Sequence, residues 1–308
     1  MNQPLLSIVT PCLNRARFIE EAIQSAVEQD YPRVEHIIVD GGSTDGTLDI
    51  LKKYPHLRVI SEPDKNLYDA LNKGVRAAQG EIVGHLNSDD VYEKNIFAFV
   101  AESFVNNPAA EALYGAAAIF DDGDPERRSI MAFREERYRE LSFWNLLFGA
   151  MNINARFFRK SVYDRLGLYD IRYAIAADRD FLLRVSLANI RYLSSDRFFY
   201  HYRQHAGSLT INKPDNPFVL RKAEENIFLC EEYLRRADVP RELKIYLKRL
   251  HSKESLMAIL WHSQRRQWRE AGKSMARAFS SNAAFPLELA KRAGESLLHK
   301  IRRNSSRP

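Results

Sequence analysis

Cysteine, long apolar runs and an export signal are scarce or missing in this chain of 308 residues. Its two cysteines, Cys12 and Cys230, are too few for a disulfide framework and lack metal-ligand spacing, so we expect buried thiols. No run reaches the roughly 18 apolar residues of a membrane span, and the N-terminal Met-Asn-Gln-Pro lacks the basic-then-apolar layout of a signal peptide. These absences predict a cytoplasmic protein.

Charge is distributed unevenly along the chain. The net charge is +6, yet residues 221–308 carry 20 Lys/Arg against 10 Asp/Glu, a net +10, which leaves residues 1–220 at −4. A basic tail favours contact with an anionic membrane surface or nucleic acid, although a solvated charged helical face is the commoner explanation. Because amphipathic helical spacing begins near Pro217, we expect a domain of residues 1–216 and a basic amphipathic helical extension of residues 217–308.

Short apolar segments alternate with helical periodicity over the first 120 residues. Five segments have the length and composition of strands: 5–10, 34–39, 57–61, 81–86 and 113–120. Four intervening segments have helical spacing: 18–27, 47–54, 67–78 and 95–105. This alternation predicts an α/β fold with a Rossmann-like, mostly parallel sheet flanked by helices, whose ligands bind at the carboxyl ends of the strands.

Polar turns follow three of these strands. Thr10 and Pro11 end the first strand, Asp40 follows the second, and Asp89 and Asp90 follow the fourth. Adjacent carboxylates raise each other's pKa unless a cation neutralises them, so the Asp89–Asp90 pair indicates a site for a hard divalent ion. A solvated turn is the alternative for each cluster taken singly. Their common placement at one edge of the sheet favours a functional site.

Further acids can border a ligand at that edge. Asp40 precedes two glycines, so its carboxylate can accept the imide N–H of uracil or a ribose hydroxyl; capping of the following turn is the alternative. Asp64 and Asp69 lie in a stretch that is more polar than a connection requires. They are candidates to border a nucleotide or sugar, while Lys65 or Lys73 meets diphosphate charge. A surface salt bridge between Asp69 and Lys73 is the simpler explanation for Lys73.

The helix that starts near residue 177 offers a candidate general base. At about 100° per residue, Asp178 and Asp180 point to roughly opposite sides. Asp178 shares its side with apolar residues, which favours a raised pKa, whereas Asp180 lies beside Arg184 and is expected to be structural. The aromatic stretch 143–149 is interpreted either as an acceptor surface or as core.

These motifs together resemble family 2 glycosyltransferases, whose members adopt the GT-A fold. The matching segments are 7–14, 37–46, 68–74, 80–90 and 177–181. The resemblance implies an inverting transfer of sugar from a nucleotide-sugar donor, with a UDP-sugar favoured, and a divalent ion, Mg²⁺ or Mn²⁺. It also implies that residues 1–120 bind the donor and that residues 121–216 hold the acceptor and the base.

The resemblance also assigns roles to individual residues. Thr10, Pro11 and Asp40 would hold the nucleobase, Asp89 the ribose or the metal, and Asp90 the metal, while Asp178 would deprotonate the acceptor hydroxyl. The family's usual Asp-x-Asp is here Asn87-Ser-Asp-Asp90, so the division of labour between the two acids stays open.

The processive motif of the family, Gln-x-x-Arg-Trp, is not met by residues 264–268, where Gln267 replaces the arginine. Transfer of a single sugar is therefore favoured, with a saccharide or lipid-linked surface-polysaccharide precursor as acceptor at the inner face of the plasma membrane. Peripheral membrane contact fits the basic tail, and no nucleic-acid partner is expected. The alternatives are a sugar-phosphate nucleotidyltransferase, which would normally need a glycine-rich phosphate loop after the first strand, and a non-catalytic binder acting through the basic helices.

Overall fold

The computed structural model describes residues 3–124, 126, 129–149, 153–208, 216–282 and 285. The chain divides into two compact units, Met1–Ile211 and Asn212–Pro308. The first unit is an α/β fold built on one sheet, as the alternating periodicity predicted. The second unit is helical over its described residues.

The first unit contains nine strands and seven α-helices in its described part. The strands are β1 (Leu6–Cys12), β2 (Val34–Asp40), β3 (Arg58–Ser61), β4 (Ile82–His85), β5 (Val91–Tyr92), β6 (Ala112–Asp121), β7 (Ser129–Phe133), β8 (Arg156–Arg159) and β9 (Tyr192–Gln204). The helices are α1 (Ile19–Val27), α2 (Thr47–Leu51), α3 (Leu67–Ala77), α4 (Phe97–Asn106), α5 (Phe143–Phe148), α6 (Lys160–Leu166) and α7 (Ala177–Leu187).

The strands lie in the order β3-β2-β1-β4-β8-β6-β9-β5, and β7 pairs with the outer part of β6. Strands β1 to β4 run parallel to one another, and β6 runs parallel to β9. The short strand β8 is antiparallel to both β4 and β6 and separates them. The sheet is therefore mostly parallel, as predicted, with an insertion that the sequence did not reveal.

The first strand is longer than predicted. We expected it to end at Thr10 because proline cannot donate to a sheet ladder, but β1 continues through Pro11 to Cys12. Its ladder with β4 ends at the pair Val9↔His85, so Pro11 lies beyond that ladder and interrupts nothing there. On the other side, β1 stays in register with β2 up to Cys12↔Asp40.

Helix α3 packs closely against the centre of this sheet. All seven residues of β1 are buried, as a strand between two parallel neighbours should be. A Cβ at Gly74 would collide with the Val9 side chain, so the absence of a side chain lets α3 approach β1. This contact fixes the position of α3, which carries several polar side chains of the candidate site.

The second unit consists of α8 (Pro217–Arg235), α9 (Arg241–Gln264) and α10 (Trp268–Ser281) in its described part. Asn216 caps α8 by accepting the Phe218 N–H, as a helix N-cap should. The buried Glu231 of α8 accepts two hydrogen bonds from the Arg277 guanidinium, at 2.9 and 2.8 Å, and one from the Ser281 hydroxyl at 2.8 Å. No helix among the described residues is long and apolar enough to cross a membrane.

Candidate active site

Four parallel strands end at one edge of the sheet and bring the predicted polar turns together. The Gly41 N–H donates to the Cys12 carbonyl at 2.9 Å, which joins the end of β2 to the end of β1. The Glu62 N–H donates to the Asp40 carbonyl at 3.0 Å, which joins β3 to β2. Burial and then the charge of Asp40 raise the pKa of the Cys12 thiol, and Asp64 adds a smaller contribution. The first three strand ends therefore form one acidic edge.

Asp40 is completely buried at the end of β2. Its carboxylate accepts the N–H groups of Gly42 and Ser43 at 3.1 Å and the Ser61 hydroxyl at 2.8 Å. Burial raises the pKa of Asp40, but these hydrogen bonds, led by that from Ser43, outweigh it and leave the pKa below its ordinary value. Asp40 thus holds the turn that follows β2, in agreement with the alternative given for it above.

Thr10 and Pro11 are also buried. The Thr10 hydroxyl lies 2.8 Å from Nε2 of His36 on the neighbouring strand β2. Burial lowers the pKa of His36 to about 3, so the imidazole is neutral at physiological pH. The Thr10 side chain is therefore committed within the sheet and does not face the solvent.

Asp64 lies next to this edge, whereas Asp69 occupies the start of α3. Lys73 pairs with Asp64 at 2.6 Å and with Glu62 at 3.0 Å. The expected Asp69–Lys73 salt bridge is thus replaced, because the segment before α3 folds back over the helix. Asp69 instead accepts the Lys65 N–H at 3.0 Å. Burial raises the pKa of Asp64 in spite of its lysine partner.

Asp89 and Asp90 have different environments although they are adjacent. The buried Asp90 accepts hydrogen bonds from the Asn87 side chain at 2.9 Å, the Tyr200 hydroxyl at 2.8 Å and the Arg203 N–H at 2.8 Å. Burial and then the charge of Asp89 raise the pKa of Asp90 to about 7, against these hydrogen bonds. These three donors occupy most of the roughly four acceptor positions of the Asp90 carboxylate, so it has less capacity left for a cation than an exposed acid would have.

Asp89 is the more accessible acid, with a side chain that is 20% exposed. His205 Nε2 lies 3.2 Å and Arg15 Nε 3.9 Å from Asp89 Oδ2. Carboxylate oxygen and imidazole nitrogen suit Mn²⁺, and Mg²⁺ is often held by one or two carboxylates together with substrate phosphates and water. Three or more His, Cys, Asp or Glu side chains do not cluster anywhere in the described ranges. Asp89 and His205 could thus supply two ligands, and a cation there would take the others from substrate phosphates and water.

Arg203 is a central residue of the site that the sequence did not reveal. Its Nε donates to the Asp89 carbonyl at 2.8 Å, and its guanidinium pairs with Glu21 at 2.6 Å and with Asp122 at 2.8 Å. Arg203 and His205 come at the end of β9, where the polar stretch 201–205 follows aromatic residues. That change in composition was the available signal, but it does not indicate which side chains turn toward the acidic edge.

The two acids on α7 lie in different environments. Asp180 is buried and lies 2.8 Å from Arg184, which confirms their predicted pairing. Asp178 is half-buried in the first turn, where it accepts the N–H of the next residue at 2.7 Å. Burial and then the charge of Asp90 raise the pKa of the Tyr202 hydroxyl, and the charge of Asp178 adds to this. The Tyr202 hydroxyl thus lies close enough to interact electrostatically with both Asp90 and Asp178.

Side chains of α3 and its cap hold the segment that leads to α7. Asn72 Nδ2 donates to the Tyr169 carbonyl at 2.8 Å, and the Tyr169 N–H donates to Asn72 Oδ1 at 2.9 Å. Asn66 and the Tyr68 hydroxyl donate to backbone carbonyls farther along residues 169–175, at 3.0 and 3.2 Å. The helix that borders Asp64 therefore also positions the approach to Asp178.

Sequence comparison with known proteins matches this chain to glycosyltransferases. The family described as "Glycosyl transferase family 2" matches residues 7–167, just over half of the chain. A PGL/p-HBAD biosynthesis glycosyltransferase of Mycobacterium bovis is 33% identical over 192 residues, which is 60% of this chain and 70% of the relative. A putative teichuronic acid biosynthesis glycosyltransferase of Bacillus subtilis, TuaG, is 32% identical over 156 residues, covering 49% and 62% of the two chains.

Solved structures share the fold at low sequence identity. TarS 1–349 of S. aureus in complex with UDP-GlcNAc aligns with a TM-score of 0.61 and 18% identity, over 94% of this chain and 92% of that chain. The mannosyltransferase PcManGT of Pyrobaculum calidifontis, in complex with GDP-Man and Mn²⁺, aligns with a TM-score of 0.59 and 20% identity, over 96% and 81%. The expected GT-A fold is thus confirmed, and the chain belongs to glycosyltransferase family 2.

Proposed function

We propose that this glycosyltransferase is inverting and uses Mg²⁺ or Mn²⁺ to transfer one sugar from a UDP-sugar to a hydroxyl acceptor. The acceptor is a saccharide or a lipid-linked precursor of a surface polysaccharide, handled at the inner face of the plasma membrane. One observation carries the proposal: the accessible carboxylate of Asp89, beside His205, lies in the acidic turn that follows a central parallel strand. Relatives named for PGL/p-HBAD and teichuronic acid biosynthesis support this class of acceptor.

The nucleoside binds at the ends of β1 to β3 in this proposal. Asp40 and Asp64 border the base and the ribose, and Asp69 lies at the margin of this region. Thr10 and Pro11 shape the floor, because the Thr10 hydroxyl is already bonded to His36. Asp40 acts on the base through the turn that it holds, because its carboxylate already accepts hydrogen bonds from Gly42, Ser43 and Ser61.

Asp89 and His205 would hold the divalent ion, and Asp90 would support the turn from behind. When bound, the ion neutralises the negative charge that builds on the departing diphosphate. Asp89 needs a fixed orientation for this role. Arg203 provides it by bonding the Asp89 carbonyl, while its own N–H bonds Asp90.

Asp178 accepts the proton of the acceptor hydroxyl as that oxygen bonds to the anomeric carbon. The bond to the diphosphate breaks on the opposite face, so a single displacement inverts the configuration. A positioned base of this kind typically contributes about 10²- to 10⁴-fold in rate. The first turn of α7 suits a residue that needs a defined position, because residues 169–175 are anchored to α3.

A donor screen followed by paired variants tests the proposal. UDP-, GDP-, dTDP- and CDP-sugars are compared for thermal stabilisation with Mn²⁺, Mg²⁺ or EDTA, since a ligand that binds the native state raises the melting temperature. We expect a UDP-sugar to stabilise the protein in a metal-dependent way. Failure of every donor with both metals would refute the donor site.

Substitutions separate the two acidic roles. Asp89→Asn should abolish the metal-dependent part of the donor stabilisation, and Asp178→Asn should preserve it while lowering kcat about 10²- to 10⁴-fold. Asp49→Asn and Asp164→Asn, at side chains that are 78% and 68% exposed, serve as matched controls. Unchanged turnover by Asp178→Asn would exclude it as the base, and product of retained configuration would exclude inversion.

A further inference from the structure

One face of α10 carries large apolar side chains that are exposed. Trp268, Met275 and Phe279 are 66%, 43% and 47% exposed. At about 100° per residue, these three positions lie within roughly 40° of one another, so they form a single stripe. Gly272 lies on the same side, and a Cβ built there would meet nothing within 4 Å among the described residues. We call these four residues the α10 stripe.

The rotation of α10 is fixed by two other sides of the helix: one flank about 60° to 80° from Trp268, where two alanines are buried, and the side roughly opposite the stripe. Ala271 and Ala278 are buried, and Arg277 and Ser281 bond to the buried Glu231 of α8. A two-pronged guanidinium–carboxylate contact holds a helix in one rotation, because both hydrogen bonds must be kept. The helix that carries the α10 stripe is therefore held in one rotation against α8.

Basic residues border the α10 stripe on one side. Arg269 and Lys273 are exposed and lie about 100° and 140° around the helix from Trp268. Arg266, also exposed, lies two residues before the helix. Residues 221–308 have a net charge of +10. An apolar stripe with Trp and Phe beside a basic flank is the pattern of a helix that lies in a membrane interface.

We propose that the α10 stripe inserts into the headgroup region of an anionic lipid bilayer, with Trp268, Met275 and Phe279 at the acyl boundary. Arg269 and Lys273 then meet the anionic headgroups. The charge of the flank selects a lipid surface over an uncharged protein partner. This inference deepens the membrane location proposed above by naming the surface, and it can be tested without donor or acceptor.

Vesicle binding of the full-length protein tests the proposal. Cosedimentation with phosphatidylglycerol/phosphatidylcholine vesicles is compared with cosedimentation with phosphatidylcholine alone. We expect binding to the anionic vesicles, a blue shift of tryptophan emission that Trp268→Phe removes, and quenching by lipids that carry a doxyl group near the headgroup. Equal binding to both kinds of vesicle, or an emission shift that persists in Trp268→Phe, would overturn it.

Paired variants localise the contact. Trp268→Ser with Phe279→Ser should weaken vesicle binding at least tenfold, whereas Ile130→Ser, at a residue that is 56% exposed on β7, should not. Arg269→Glu with Lys273→Glu should weaken it about tenfold or more, since each basic residue near an anionic surface contributes about fivefold.

The charge-matched control is Lys52→Glu with Lys53→Glu, whose side chains are 75% and 63% exposed in the first unit. Circular dichroism checks that each variant is folded. Wild-type binding by the Trp268/Phe279 variant refutes the proposal. The proposal is also refuted if the wild type binds no vesicles but self-associates, and the Trp268/Phe279 variant abolishes that self-association. If the wild type binds no vesicles, the membrane proposal fails, and the proposed sugar transfer is judged separately by the transfer assay.

Discussion

Replacing Asn72 by alanine should loosen the segment that leads to α7. The Asn72 side chain is buried and makes two hydrogen bonds to the Tyr169 backbone, at 2.8 and 2.9 Å. Alanine removes both bonds and leaves a buried N–H and a buried carbonyl without these partners. Each such loss costs about 1 to 3 kcal/mol, so we expect the free energy of unfolding to fall by about 3 kcal/mol. For a unit of this size, that is roughly 6 to 12 °C in melting temperature.

Hydrogen exchange provides the local assay for this prediction. The Tyr169 amide should exchange faster in Asn72→Ala, because its acceptor is gone. Asn107→Ala is the control: Asn107 is exposed and its side chain bonds a carbonyl of its own helix, so the expected change is within about 0.5 kcal/mol. If Asn72→Ala melts within about 1 °C of the wild type and Tyr169 stays protected, the anchoring argument is refuted. If Asp178 is the base, kcat should also fall more than the affinity for donor.

Two further predictions concern the centre of the sheet and the acidic turn. Gly74→Ala should destabilise the protein by about 1 to 3 kcal/mol in urea unfolding, because the new methyl group collides with Val9. Adding Val9→Ala to this variant should restore part of the lost stability. If Gly74→Ala loses no stability, α3 can shift to accommodate the methyl group. In EDTA, the free energy of unfolding should decrease as the pH rises from about 4 to about 7. Burial and the charge of Asp89 raise the pKa of Asp90 from 3.8 to about 7. Over this range the native state therefore holds a proton that the unfolded state has lost. Asp90→Asn should flatten this part of the profile, and parallel profiles would contradict the assignment.

Local sequence signals predicted the order of the early elements well. The apolar segments and helical spacing of residues 5–120 correspond to β1 to β4, α1 to α4 and β6, with ends that differ by a few residues. Periodicity and turn chemistry act over short distances, so they are legible without the fold. The pairing of Asp180 with Arg184 was predictable for the same reason, since one helical turn separates them.

The order in which strands lie next to one another in the sheet could not be predicted in the same way. The four-residue β8 separates β4 from β6 and runs against both. Its pairing depends on partners that are distant along the chain, and a segment of that length carries no periodicity of its own. The thirteen-residue β9, which supplies Arg203 and His205 to the acidic edge, was also missed.

Sequence alone was sufficient to place the acidic turns at one edge of a mostly parallel sheet and to suggest a sugar-transferring family, because strand direction follows from the βα alternation. The environments of Asp89 and Asp90 depended on the tertiary structure. Tyr200 and Arg203, which bond Asp90, lie 110 and 113 positions away. Likewise, the hydrogen bond between Thr10 and His36 joins two neighbouring strands. Burial and hydrogen bonding set how available a carboxylate or hydroxyl is, and both depend on neighbours that only the folded chain brings together.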